Sequence, residues 1–229
     1  ENYPDMIVLN ADSARALKLT DLSEAYPDRM IGVGISEADL ISTAAGLATT
    51  GLIPVVVGFS MFVSEKPFEQ IRQAIAYPNL NVKIVATHSG LCVGQDGATH
   101  QALEDMAVIR SLPNFKVFAA ADVTETEAAL EAMLKHDGPA YLRLGRDLAE
   151  DIFEGHKNFT SGGADILREG EDVTIAACGL MVEQALMAAC SLRSEGIHAT
   201  VMNTYSIKPL PEQLLLEKAK KTGAFVTAE

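Results

Sequence analysis

No apolar run in this 229-residue chain approaches the length that a membrane span needs, and the polar opening Glu1-Asn2-Tyr3-Pro4-Asp5 lacks the apolar centre of a signal peptide. Basic charge is scarce as well. Eighteen Lys and Arg stand against thirty-one Asp and Glu, a net charge of −13 with no basic stripe, so neither a nucleic acid nor a membrane is expected as a partner. The three cysteines, Cys92, Cys178 and Cys190, are odd in number and far apart, which points to reduced thiols and a cytoplasmic setting. There is no Walker loop, no dinucleotide glycine pattern opening a helix and no nucleophile elbow. His88 and His100 have no cysteine at ligand distance, so no metal ligand is assigned.

What is present is a regular alternation. Short apolar runs (Met6 to Leu9, Met30 to Val33, Ile53 to Val57, Val82 to Ala86, Lys116 to Ala120, Tyr141 to Leu144) are each separated by a helical pattern. Buried strands alternating with helices predict an α/β fold, a three-layer parallel sheet with helices on both faces, over residues 1–147. Charges, Gly and Asn replace the periodicity over 148–163, which reads as a linker. A smaller α/β domain is expected over 164–229, with strands at Val173 to Ala177, Ala199 to Met202 and Ala224 to Thr227. Its first helix carries Met181, Val182, Ala185, Leu186, Ala189 and Leu192 on one face. Three strands make a thin domain, so more protein is expected to follow Glu229 in the natural gene, or a partner to cover this half.

In a parallel sheet, ligands sit beyond the carboxyl ends of the strands. Glu37 lies in such a place, just after Met30 to Val33 in the stretch Gly34-Ile35-Ser36-Glu37-Ala38-Asp39. Ser36 with Asp39 also matches a capping box, which would make Glu37 an ordinary first-turn acid. Phe59 and Phe62, three apart after a strand, share a side as core or as a ring pocket. His88 and His100 bracket the longest glycine-bearing connection, with Asp96 between them, and a loop of that length is more often functional than idle. Arg143 and Arg146 end a strand, where they bind an anion or face water. Asp122 with Glu125 forms a capping box for the following helix.

Four stretches in register carry a resemblance. Val33-Gly34-Ile35-Ser36-Glu37-Ala38-Asp39, the turn Gly58-Phe59-Ser60-Met61-Phe62, the loop from Ala86-Thr87-His88 to Gly97-Ala98-Thr99-His100-Gln101, and Tyr141-Leu142-Arg143-Leu144-Gly145-Arg146 together resemble the carboxyl-terminal half of transketolases. The chain is most similar to the small, pyrimidine-binding subunit of split, two-chain transketolases, and residues 164–229 resemble the family's carboxyl-terminal domain. The resemblance implies thiamin diphosphate as cofactor and transfer of a two-carbon ketol unit between sugar phosphates. Glu37 then matches the glutamate that hydrogen-bonds the aminopyrimidine, a role needing a carboxyl group in a dry pocket that can hold or share a proton. Phe62 matches the aromatic against the pyrimidine, Phe59 its neighbour, and Asp12 an acid near the thiazolium side. His88, Asp96 and His100 match residues that contact the sugar, and Arg146 one that binds its phosphate. Glu37, His88 and His100 are the expected catalytic groups.

Glu65 departs from the resemblance, since the family often carries Tyr, Arg or a small residue there; a carboxylate would oppose a nearby phosphate unless Lys66 neutralises it. The diphosphate with its Mg2+ (or Ca2+) belongs to the family's other module. A separate N-terminal transketolase subunit is therefore the implied partner, with self-association through this module, in an α2β2 tetramer. The wording Ile35-Ser36-Glu37 also occurs in β subunits of thiamin-dependent 2-oxoacid dehydrogenases, and deoxyxylulose phosphate synthases share the module. The stretch Asp96-Gly97-Ala98-Thr99-His100-Gln101 favours the transketolase. A non-catalytic paralogue that only binds a partner is the alternative of another class.

Overall fold

The computed structural model describes residues 3–147, 149–155 and 157–229. Of the linker expected over 148–163, Leu148 and His156 thus lie outside the described residues. In chain order the elements are β1 (Met6–Asn10), α1 (Thr20–Ala25), β2 (Met30–Gly32), α2 (Glu37–Ala48), β3 (Ile53–Phe59), α3 (Phe68–Gln70), β4 (Lys83–Thr87), α4 (Asp105–Ser111), β5 (Lys116–Ala119), α5 (Val123–Lys135) and β6 (Ala140–Arg143). There follow β7 (Asp165–Arg168), β8 (Val173–Ala177), α6 (Met181–Ser194), β9 (Ala199–Asn203), β10 (Ser206–Lys208), α7 (Glu212–Thr222) and β11 (Phe225–Ala228). The chain forms two compact units, residues 1–117 with 133–147, and residues 118–132 with 148–229.

The first unit is a parallel sheet in the order β6-β4-β3-β1-β2, with β5 beyond β6. Val8 pairs with Met30 on one side and Val55 on the other, and Val85 pairs with Val57 and Leu142. Such central strands are covered on both faces, which is why they read as unbroken apolar runs. Leu9, Val56, Ile84 and Leu142 are fully buried, and α2 adds Leu40, Ile41, Ala44 and Ala45, spaced to lie on one helical stripe. At the amino end of β4, Lys83 is entirely buried; its ammonium donates to the carbonyls of His136 at 2.7 Å and Gly138 at 2.6 Å, just past the end of α5. Burial pushes this amine down to about 7. At that value the neutral form, with two N–H groups for two carbonyls, competes with the charged one.

The second unit is a four-stranded sheet, β11-β8-β9-β7, rather than the three strands expected. The additional strand, β7, runs antiparallel to β9 and is half-buried along its length, so its four residues carry no apolar run to announce it. The apolar face expected on α6 is the one that packs: Val182, Ala185 and Ala189 are buried against Ile175, Ala177 and Val201, with Met181, Leu186 and Leu192 around them. One half of the capping box at α5 forms, with Asp122 Oδ1 accepting from the Glu125 N–H at 2.7 Å, while Glu125 Oε2 accepts from the Ala121 N–H at 2.8 Å, one residue before the cap. Lys157 sits buried between Glu125 and Asp165, with its ammonium over the Phe153 and Tyr205 rings. Among the described residues, no helix is long and apolar enough to cross a membrane.

Candidate functional site

The carboxyl ends of β1, β2, β3, β4 and β6 deliver their exits to one edge of the first sheet, and each exit carries a residue singled out above. After β2, Gly34 takes a positive φ of 76°, which a glycine adopts without strain, and the chain turns directly into α2. Glu37 is the first residue of that helix, where the dipole favours a carboxylate. Ser36 makes no side-chain cap bond, so the capping box with Asp39 is not formed. Glu37 is not a solvated first-turn acid either. Its side chain is only 6% exposed, and its Oε2 lies 2.5 Å from the ammonium of Lys66, its hydrogen-bond partner among the described residues.

After β3 the chain enters a π-helical stretch, Met61–Glu65. This places the Phe59 and Phe62 rings 6.3 Å apart and within 20° of parallel. His88 leaves β4 with a positive φ of 56° and stacks on Phe59 at 4.0 Å between centroids, while Phe62 meets the His100 ring edge-on at 5.1 Å. The two rings are therefore not plain core; they form a chain of four with both loop histidines. Burial first, and then the Arg146 guanidinium, push His88 below the ordinary imidazole value, with Asp96 opposing. The ring is therefore neutral at pH 7, and it shares a proton with Thr87 Oγ1 at 2.9 Å. Lys66 completes the group from above, its Nζ 5.9 Å from the Phe62 centroid.

The loop between the histidines is held rather than free. Gly90 N–H donates to Ala102 O at 2.8 Å, Ser89 N–H to Leu144 O at 3.2 Å, and Arg146 donates to Val93 O and, at 3.2 Å, to Asp96 Oδ2. Asp96 and Arg146 are thus partners. Asp12 stands apart: it is exposed, with a φ of 59°, two residues past β1, and no hydrogen bond or ion pair joins it to the others among the described residues.

Beneath the rings lies a buried polar network that the residue pattern did not reveal. Asp105, the first residue of α4, has no exposed surface and accepts from Ser60 Oγ at 2.7 Å, from the Tyr141 hydroxyl at 2.8 Å and from Arg143 Nε at 3.1 Å. Arg143 thus turns its Nε inward to Asp105, and its side chain is 17% exposed. Ser60 lies between Phe59 and Phe62, so the network fixes the turn that presents both rings. Desolvation raises the Tyr141 phenol well above its usual value, with the charge of Asp105 adding to it, which keeps the hydroxyl a donor. Glu65 is left alone: Lys66 pairs with Glu37 instead, one Glu65 oxygen is buried without a partner, and desolvation, then Glu104 and Asp105, raise its carboxyl. Sequence spacing could not assign these pairings, because each joins residues at least 29 apart.

A buried carboxylate whose partner is a half-exposed lysine, next to a phenylalanine ring, fits a flat heterocycle that both stacks and hydrogen-bonds. Among the described residues no three His, Cys, Asp or Glu group together as metal ligands. Two family models match the chain: the transketolase pyrimidine binding domain over residues 1–151 and the transketolase C-terminal domain over 162–229. The chain is 42% identical to the 6-deoxy-6-sulfo-D-fructose transketolase subunit SqwH of Clostridium sp. (strain MSTE9), over 98% of this chain and 70% of that protein. It is 37% identical to the 1-deoxy-D-xylulose-5-phosphate synthase of Desulfotalea psychrophila, over 98% of this chain but 35% of the synthase. A solved structure described as a split gene transketolase, inactive beta4 tetramer, superposes with a TM-score of 0.91 at 43% identity, over 100% of this chain and 74% of that one. With the fold, the ring pocket and both family models in agreement, the chain belongs to the transketolase family, as a thiamin-dependent transferase subunit of the split type that carries the pyrimidine-binding and C-terminal domains.

Proposed function

We propose that this chain supplies the pyrimidine-binding half of a ketol-transferase site, completed by a complementary N-terminal subunit that holds the diphosphate and its Mg2+ (or Ca2+), in an α2β2 assembly. The observation that carries the reading is Glu37: a buried carboxylate at a helix start, at the carboxyl edge of a parallel sheet, whose lysine partner also stands over the Phe62 ring. When bound, thiamin diphosphate would supply the carbon nucleophile that ketol transfer requires. Glu37 holds or shares the proton on the aminopyrimidine, Phe62 with Phe59 seats the ring, and burial excludes water from that exchange. His88, neutral at pH 7, and His100 face the sugar and accept or donate protons at its hydroxyls. Asp96 contacts a sugar hydroxyl, and Arg146, already aligned by Asp96, takes the anionic end. Asp12 lies on the thiazolium side.

The relative that acts on a sulfosugar shares this module, so an anionic terminus other than phosphate is compatible with Arg146. The test is to co-produce the chain with its N-terminal subunit, add thiamin diphosphate and Mg2+, and measure two-carbon transfer between sugar phosphates. Transfer appears with both subunits present, and Glu37→Gln lowers it by roughly 10²- to 10⁴-fold with the assembly intact. An active Glu37→Gln complex refutes the assignment. Turnover of a 2-oxoacid donor in place of a ketose would move the chain to the synthase-like or dehydrogenase reading.

A further inference from the structure

Lys66 is not among the residues that the family resemblance marks, yet its ammonium reaches both the Glu37 carboxylate and the Phe62 ring. The lysine follows directly on the π-helical stretch and donates its backbone N–H to Met61 O at 3.4 Å. Its side chain is 54% exposed, while the carboxylate it reaches is 6% exposed. The ammonium sits 2.5 Å from Glu37 Oε2 and 5.9 Å from the Phe62 centroid. One cation therefore does two things, holding the acid and standing over the ring. A heterocycle stacked on Phe62 with a ring nitrogen on Glu37 needs the same space and the same lone pairs.

We propose that Lys66 is a placeholder in the cofactor site: its ammonium stands in for the aminopyrimidine in the empty subunit and is expelled when the cofactor docks, so that binding is an exchange and Lys66 sets the affinity. The inference rests on the function proposed above. Its physical basis is the asymmetry of exposure. A buried carboxylate without a partner is strongly unfavourable, so the empty site needs a counter-charge. A buried cation would resist removal. A lysine that is half in water returns its charge to solvent with little loss, and its flexible four-carbon stem lets it leave without disturbing the backbone. Glu65 and Lys66 then have separate roles: the lysine serves Glu37, and the Glu65 carboxyl remains unneutralised beside Glu104 and Asp105.

The experiment is a calorimetric titration of the assembled two-subunit enzyme with thiamin diphosphate and Mg2+, read as Kd rather than activity. Lys66→Met keeps the stem and removes the competing charge; it is expected to tighten cofactor binding about tenfold, the scale of one charge-assisted hydrogen bond partly open to water. Lys66→Arg keeps the competitor and stays within about threefold of wild type on the same scale. The decisive arm is the Glu37→Gln background, where the ammonium has no carboxylate to hold and Lys66→Met should change Kd by less than twofold. Unchanged or weaker binding in Lys66→Met, or equal tightening with and without Glu37, overturns the placeholder. Failure of wild type and every variant alike to take up thiamin diphosphate would instead overturn the function on which it rests.

Discussion

Replacing Asp105 by alanine removes the one acceptor on which three side chains converge. Its carboxylate is fully buried, and the side chain of its cationic partner Arg143 is 17% exposed. Leaving a buried charge unpaired costs about 3–5 kcal/mol, and the residual exposure of Arg143 argues for the lower end. Ser60 and Tyr141 also lose their acceptor, but their hydroxyl oxygens are 2.8 Å apart and can continue to bond one another. That loss adds about 1 kcal/mol. The total, about 4 kcal/mol, corresponds to a fall in Tm of about 8–16 °C for a chain of this size. Scanning calorimetry of Asp105→Ala measures it, with Tyr141→Phe as the internal comparison. The phenylalanine removes a single hydroxyl and should lower Tm by only about 2–4 °C. A Tm for Asp105→Ala within 3 °C of wild type, or equal losses in the two variants, would refute the view that the ion pair anchors the ring-bearing turn.

Lys83 gives stability a pH dependence with a defined sign. Its folded value is about 7 against an ordinary 10.5, so between those limits the unfolded chain binds more protons than the folded one, and stability rises with pH by up to about 1.4 kcal/mol per unit. Denaturant titrations at pH 7, 8 and 9 should show the rise, and Lys83→Met should flatten it; a slope that persists in the variant assigns it elsewhere. In the second unit, Gly170 lies where any Cβ would overlap the backbone of His198 and Ala199, and its N–H and C=O both bond Thr200 Oγ1 at 2.9 Å. Gly170→Ala is expected to cost about 3 kcal/mol and to lower Tm by about 6–12 °C, and a variant melting within 2 °C of wild type would contradict that packing.

The strands of the first unit were legible because each is covered on both faces and so spells a continuous apolar run, from Met6 to Leu9 through Tyr141 to Leu144. The face of α6 was legible for the related reason that a helix writes its buried side at a fixed period. β7 was not, since a half-buried edge strand of four residues carries neither signal. At the site, the order of Glu37, Phe59, Phe62, His88 and His100 along the chain placed them at strand exits, and the topology of a parallel sheet then gathers such exits. What spacing could not supply was partnership. Lys66 is adjacent to Glu65 in sequence, which leaves open whether it neutralises that carboxylate, and in the fold its ammonium pairs with a helix start 29 residues away. Arg143, read as surface or anion-binding, also donates its Nε–H to Asp105, whose burial depends on β3 and β6 arriving from distant parts of the chain. Hydrogen bonds and ion pairs at long sequence separation are products of the fold, and one sequence shows the groups without the distances.

Helix α5 contributes its first ten residues to one compact unit and its last three to the other. The chain is therefore interleaved. A gene cut after residue 147 would carry away residues 118–132, including the Asp122 and Glu125 carboxylates, while leaving behind Phe153, Lys157 and Asn203, to which they are bonded. Chimeras that exchange the pyrimidine-binding unit between relatives should therefore transplant 118–132 together with the second unit, not the first. For the same reason, recombination between family genes is expected to favour breakpoints that keep this helix with residues beyond 148.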